Sequence, residues 1–439
     1  MDIAITLLPI ASVGLLLAAL LTLFTPLIVA PILALIRRDP NGAFVPHSDL
    51  MRSRFFAGVY ALVALLILIG FQPRPFKKTP GFVPAVAAGS PEAQERIRQK
   101  VAPRIQSGEV LGMVVGVVDP SGTQVFGFGQ RRLGAPPPDG QTVFEIGEVS
   151  RTFTTLLLEQ MVLRGQVKLD QPVRDLLPDS VSVPTVGDET ITIEQLATDR
   201  SGLPSRPDNL SRSPLEWFPP FDNPYGGYSA RQLDAYLSAA DLSRKPGANI
   251  EPSTLGMGLL AHALGRATNT KYDAMVTREI CDPLAMADTR VGISGNARAR
   301  AAQGYVVGRW SYKDWRVASP THPWSYRALT GAGGLSSTAN DLLSFLRAHL
   351  GLQSTDLASA MNETRQPRYR GRGLDAVALG WSVRLGGPSS SQVTWCRGAT
   401  RGTRSWIGMD ESRRVGVVIL ANTATEIDEL GFDLLRSLP

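Results

Sequence analysis

The chain has 439 residues, a formal net charge of +6 and 44% hydrophobic residues, and its basic excess is spread along the sequence rather than gathered into runs. Scattered arginines read as a solvated surface, so no nucleic-acid partner is implied. Cys281 and Cys396 are the only cysteines, far apart and outside any C-x-x-C or metal-ligand spacing, which excludes a disulfide framework and points to no metal and no cofactor.

Taken in chain order, residues 3–36 are almost continuously apolar and residues 55–71 form a second uncharged apolar run. Each is long enough to cross a bilayer, which takes about 20 residues and tolerates about 17. A secretory signal peptide would be shorter and preceded by basic residues, so residues 1–72 are expected to be a two-helix transmembrane anchor in the cytoplasmic membrane. Arg37, Arg38, Arg52 and Arg54 lie between the two runs, and Arg74, Lys77 and Lys78 follow them. That four-to-three balance places the connecting loop on the cytoplasmic side. The large domain is then expected outside the cytoplasm. Residues 73–90 carry Pro73, Pro75, Pro80 and Pro84 and read as an extended linker.

Residues 91–439 have the mixed composition of one folded domain. Ser90 before Pro91 is a helix start, Ser as the cap and Pro at the first helical position. Leu111 to Val118 and Thr123 to Phe128, joined by Asp119-Pro120-Ser121-Gly122, predict a β-hairpin. Phe153 to Leu163 is apolar at helical spacing, and the pattern stays mostly helical to about Leu346, broken by Pro- and Gly-rich loops. Val393 to Cys396, Thr403 to Met409 and Val415 to Leu420 predict three further strands, and Glu426 to Ser437 a closing amphipathic helix. The expected fold class is therefore α/β of the α+β kind: an antiparallel sheet flanked by helices, with a helical subdomain.

Five stretches, in order, resemble the serine β-lactamase and DD-peptidase family, in particular its class C β-lactamase and esterase-like group. They are Phe144-Glu145-Ile146-Gly147 with Ser150-Arg151-Thr152-Phe153; Gly165 to Val173; Ile193 to Pro204, similar to "T-x-x-L-L-T-H-T-S-G-L-P"; Cys281 to Thr289, similar to "P-L-G-M-x-D-T"; and Gly331 to Leu342. The resemblance spans about three quarters of the chain and implies a β-lactamase/transpeptidase-like fold, here preceded by two transmembrane helices.

It also implies a chemistry whose residues are replaced. The family activates a serine with a lysine one helical turn on, in Ser-x-x-Lys, assisted by a Tyr-x-Asn element and by Lys-Thr-Gly or His-x-Gly on a strand. Aligned on the first stretch, Glu148 stands at the serine position and Arg151 at the lysine position. Pro252 and Thr254 replace the tyrosine and asparagine around Ser253, and Cys396-Arg397-Gly398 replaces the third element. No Ser-x-x-Lys occurs anywhere in the sequence. A glutamate has no hydroxyl to acylate, and an arginine stays protonated and cannot serve as a base.

The expectation is thus a membrane-anchored pseudoenzyme of this family, without catalytic residues. Its candidate ligand-binding residues are Glu148, Arg151, Ser253, Arg397 and Gly398. Glu148 and Arg151, three apart on one helix, are expected to pair and plug the former pocket. Alternatively, Arg151 and Arg397 form a cationic site for a carboxylate. The partner would be a carboxylate-bearing cell-wall peptide or a protein. Two other readings stand beside this one: an atypical serine hydrolase with a relocated nucleophile, for which Ser150, Ser253 and Cys396 are the candidates, and a scaffold for a membrane complex.

Overall fold

In the computed structural model of the chain, the described residues are 74–77, 87–88, 90–210, 223–312, 315–371, 375–386 and 391–438. Residues 71–439 form one compact unit. Helix α1 (Pro91–Gln106) starts as its sequence dictates, with the Ser90 hydroxyl accepting from the Ala93 N–H. Its buried residues Ile97, Val101, Ala102 and Ile105 recur at helical spacing and face one side of a sheet.

That sheet has nine strands, all antiparallel. The N-terminal hairpin strands are β3 (Gly112–Asp119) and β4 (Gly122–Gly129). The C-terminal meander is β13 (Val393–Ala399), β14 (Arg404–Asp410) and β15 (Val415–Ala421). Short outer strands β10 (Tyr369–Arg370), β11 (Asp375–Val377) and β12 (Ser382–Arg384) extend one edge, and β2 (Ala87–Ala88) lies at the other. The order is β10-β11-β12-β13-β14-β15-β3-β4-β2, so β15 pairs with β3 across nearly the whole sequence.

The sheet is covered on both faces, which is why β15 reads as an unbroken apolar run rather than an alternation. Val418 and Leu420 point into the larger core, together with helices α2 (Ser150–Leu163), α3 (Thr254–Ala267) and α4 (Ala339–His349). Val415, Val417, Ile419 and Ala421 point the other way, toward α1 and the last helix α5 (Asp428–Ser437). Because each face is buried, a slip of one residue would exchange the two sets, and the register is fixed by packing.

Two small sheets complete the unit. One consists of β5 (Phe144–Glu145), β9 (Leu335–Ser337) and β6 (Arg290–Val291), with β9 central. The other joins β1 (Arg74–Lys77), β8 (Trp315–Pro320) and β7 (Tyr305–Tyr312). The hairpin β7–β8 lies within the stretch that the sequence pattern reads as mostly helical. Its β-branched and aromatic residues favour a pleated, half-buried surface and override the surrounding helical signal.

The sheet-and-helix fold agrees with the expectation, but the two transmembrane helices placed before it are corrected. Among the described residues no helix is long and apolar enough to cross a membrane. The longest, α1, has 16 residues, about 24 Å at 1.5 Å per residue, short of a hydrocarbon core of about 30 Å. The apolar runs at 3–36 and 55–71 lie outside the described residues.

Candidate functional site

The site is built where the short strand β5 runs into helix α2. A single 3-10 turn, Gly147–Val149, connects them and presents Glu148. Gly147 has φ +49°, and a Cβ there would lie 2.4 Å from the Ala399 nitrogen. Opposite it, a Cβ on Gly398 would lie 2.0 Å from the Ile146 carbonyl oxygen and 2.8 Å from the Glu148 nitrogen. Only glycines allow this approach, which presses the turn backbone-to-backbone against the end of β13. The Ala399 N–H consequently donates to Glu148 Oε2 at 2.8 Å.

Arg151, one turn further along α2, is 8% exposed. Its Nη1 lies 2.7 Å from Asp199 Oδ2, so the expected pairing with Glu148 is not the one that forms. Burial opposes the guanidinium charge, but the negative charges of Asp199 and Glu148 outweigh it and hold the group above its ordinary range. Asp199 reaches this position with φ +54°, a left-handed conformation that aspartate tolerates better than most residues. Its second oxygen accepts from the Ser253 N–H at 2.9 Å, and its carbonyl accepts from the Glu251 N–H at 2.7 Å. One aspartate therefore ties α2 to the loop leading into α3.

The remaining candidates divide clearly. Ser253 is 1% exposed and caps α3: its hydroxyl accepts from the Gly256 N–H at 2.9 Å and lies 2.6 Å from the Pro204 carbonyl, to which it donates. Thr254 is buried as the first residue of α3, and Pro252 is exposed beside it. Ser150 is fully buried, donating to the Gly147 carbonyl at 2.7 Å and accepting from the Leu335 N–H at 3.1 Å. Cys396 is buried against the same turn, its sulfur 3.6 Å from the Glu148 carbonyl, and burial pushes the thiol up to about 12.

Strand alternation sends Arg397 the other way. Cys396 and Gly398 are buried, whereas the Arg397 side chain is 63% exposed and holds Asp428 of α5 at 2.6 Å. The structure thus gathers Glu148, Arg151, Cys396 and Gly398, with Ser253 attached through Asp199, and leaves Arg397 out. A carboxylate site shared by Arg151 and Arg397 is not assembled.

Sequence reasoning missed Asp199, although a signal was present. Asp199 stands at the histidine position of the "L-L-T-H-T-S-G-L-P" pattern, a new acid in the same fold that gains a new cation at Arg151. It also missed the neighbouring wall. Glu145 accepts from the Trp324 N–H at 2.6 Å and from the Thr400 hydroxyl at 3.3 Å, and burial raises its carboxyl to about 7. Tyr326, 2% exposed, stacks on Tyr225 with centroids 4.9 Å apart, and its hydroxyl has no hydrogen-bond partner among the described residues. Among those residues no group of His, Cys, Asp and Glu is placed to hold a metal ion.

Chemically, the arrangement presents a backbone N–H aimed at the start of a buried helix, the kind of donor that stabilises an oxyanion, already occupied by a carboxylate. The cation beside it is matched by Asp199, and the Ser150 and Ser253 hydroxyls and the Cys396 thiol are buried and engaged.

The family model described as Beta-lactamase matches residues 97–437 of this chain. Among curated proteins, the D-alanyl-D-alanine-carboxypeptidase/endopeptidase AmpH of Escherichia coli (strain K12) is 27% identical over 348 residues, covering 75% of this chain and 84% of AmpH. Among solved structures, a class C beta-lactamase superposes with a TM-score of 0.68 at 21% identity, covering 79% of this chain and 97% of the other. A Beta-Lactamase/D-Alanine Carboxypeptidase from Pseudomonas syringae gives 0.66 at 20% identity, covering 79% and 99%.

Proposed function

The chain belongs to the beta-lactamase family, and from that premise we propose that it is a member that recognises a ligand without forming an acyl-enzyme. One observation carries this reading: the Glu148 carboxylate stands at the nucleophile position and accepts the Ala399 N–H at 2.8 Å. A substrate carbonyl placed there would have to displace an anion from the donor meant to stabilise its own developing charge. Relocated nucleophiles find no support in the geometry. Ser150 and Ser253 are spent on structural hydrogen bonds, and Cys396 is held as a neutral thiol. Loss of the nucleophile alone costs a serine protease about a millionfold in rate.

The ligand in this reading is of the kind named for the relative AmpH, a D-alanyl peptide with a free carboxylate, or a protein that docks on the same face. Covalent labelling tests the loss of chemistry. The purified full-length protein is incubated with a fluorescent penicillin and, separately, with a fluorescent fluorophosphonate. Neither is expected to label it stoichiometrically. Stoichiometric labelling that disappears on changing one of Ser150, Ser253 or Cys396 would establish a working hydrolase and overturn the proposal.

A further inference from the structure

A cavity opens beside the cluster of Glu148, Arg151 and Asp199. It lies between the outer strands β10 to β13 and the loop that precedes α3, with a volume of about 730 Å³, within the roughly 300–1,000 Å³ of small-molecule sites. Two chain-adjacent pairs connect it to that cluster: Arg200 follows Asp199, and Trp395 precedes Cys396.

Its polar groups are unequally committed. The two acids on its wall are paired already, Glu251 with Arg244 and Asp375 with Arg384 at 3.8 Å. Of the groups left over, Arg200 and Arg370 are cations, and Asn249 and Ser382 are neutral. Arg200 lies flat over the Tyr369 ring, its guanidinium carbon 3.4 Å from the centroid, with Nη2 on the Gly247 carbonyl. The Tyr369 hydroxyl is anchored in turn on Glu194 at 3.0 Å, so the plane of Arg200 is set before any ligand arrives. Arg370 is exposed at the rim and has no carboxylate partner among the described residues. Trp395 borders the cavity, its ring packed on Trp406 and Phe432.

A cavity whose acids are paired, whose remaining charged groups are two arginines, and which is bordered by Tyr369 and Trp395 selects an anion with a flat apolar body. We infer that this cavity binds small organic carboxylates carrying a planar or aromatic group, with Arg200 and Arg370 taking the carboxylate. A fixed arginine offers a fork matched to two carboxylate oxygens, and planar ligand carbon stacks on aromatic side chains. The inference deepens the recognition role proposed above and supplies the carboxylate site that Arg151 and Arg397 do not form. It does not depend on whether acylation is lost.

The probes are 2-naphthoate and its neutral isostere 2-naphthamide, titrated calorimetrically into the purified full-length protein. Saturable naphthoate binding is expected, weakened roughly tenfold or more in naphthamide, in Arg200→Gln and in Arg370→Gln, because each removes one side of a charge-assisted contact. Arg370→Gln lies on an exposed rim and leaves the unfolding midpoint unchanged, so its loss of binding reports on the contact and not on folding. The inference is overturned if naphthoate and naphthamide bind alike, if Arg370→Gln binds as the parent does, or if naphthoate shows no saturable binding. Such a result leaves the labelling outcome untouched, and labelling by penicillin with naphthoate binding intact would sink the non-acylating reading alone.

Discussion

Replacing Asp199 with asparagine removes one charge from the centre of the site while keeping its shape. Asparagine tolerates the left-handed backbone at this position and still offers an oxygen to the Ser253 N–H. What is lost is the partner of Arg151, whose side chain is 9% exposed against 18% for Asp199. Breaking a buried ion pair from one side costs about 3–5 kcal/mol. Glu148 remains nearby and Asp199 is not fully buried, so about 2–3 kcal/mol is expected for Asp199→Asn. Asp199→Ala adds roughly 1 kcal/mol for the left-handed backbone and about 1 kcal/mol for the orphaned Ser253 N–H. In Arg151→Met with Asp199→Asn the buried cation is gone as well, so the double variant should recover about 2 kcal/mol relative to the sum of the singles. Urea unfolding followed by tryptophan fluorescence measures each value. An Asp199→Asn variant within about 0.5 kcal/mol of the parent, the span of ordinary surface changes, or strict additivity in the double variant, would refute the clamp.

Glu145 sets a pH dependence. Its carboxyl is raised from 4.5 to about 7, so the folded state holds the proton longer than the unfolded chain. The associated stability, at most about 3 kcal/mol, is fully present below pH 4.5 and is lost as the pH rises through 7. Between pH 5 and 8 the parent should lose more stability than Glu145→Gln; parallel curves would contradict the assignment. Both thiols are buried and pushed up to about 12, so iodoacetamide at pH 8 should modify neither Cys281 nor Cys396 until the protein is unfolded. Mass spectrometry of the native protein decides this, and rapid native alkylation of Cys396 would revive it as a nucleophile. Gly398→Ala places a methyl 2.0 Å from the Ile146 carbonyl oxygen, and a loss of about 3 kcal/mol or more is expected in the same unfolding assay. A stable Gly398→Ala protein would mean that β13 and the Glu148 turn are not locked together.

Much of the sheet was legible because its signals are local. The apolar strand runs near the C-terminus and the Asp119-Pro120-Ser121-Gly122 turn each specify an element within a few residues, and the observed strands β13 and β15 cover the predicted ones while β14 begins one residue later than predicted. The candidate positions Glu148 and Arg151 were read in the same way, from their place inside a local motif. Partners were not. Whether Arg151 meets Glu148 or Asp199 depends on a loop 48 residues away. The direction of Arg397 depends on which face of β13 the glycine at 398 forces against the turn. The short strands β10 to β12, two or three residues each, fall below what any periodicity can register, and the cavity beside them is equally silent in the sequence.

The pairing of β15 with β3 has a consequence for how the chain reaches this state. Met113 lies opposite Ala421, and the Gly112 N–H is held by the Asn422 side chain at 2.7 Å, a sequence separation of 310. Hairpin β3–β4 is synthesised well before the strand that completes β3, which follows about 300 residues later. Until then one edge of a buried strand stays unsatisfied, open to any other extended chain. At about 5–20 residues per second, that interval lasts on the order of 15 to 60 seconds. Closing so long a loop also makes the final step slow. Aggregation during synthesis, more than unfolding of the finished domain, is therefore where truncations or lesions near the C-terminus should act.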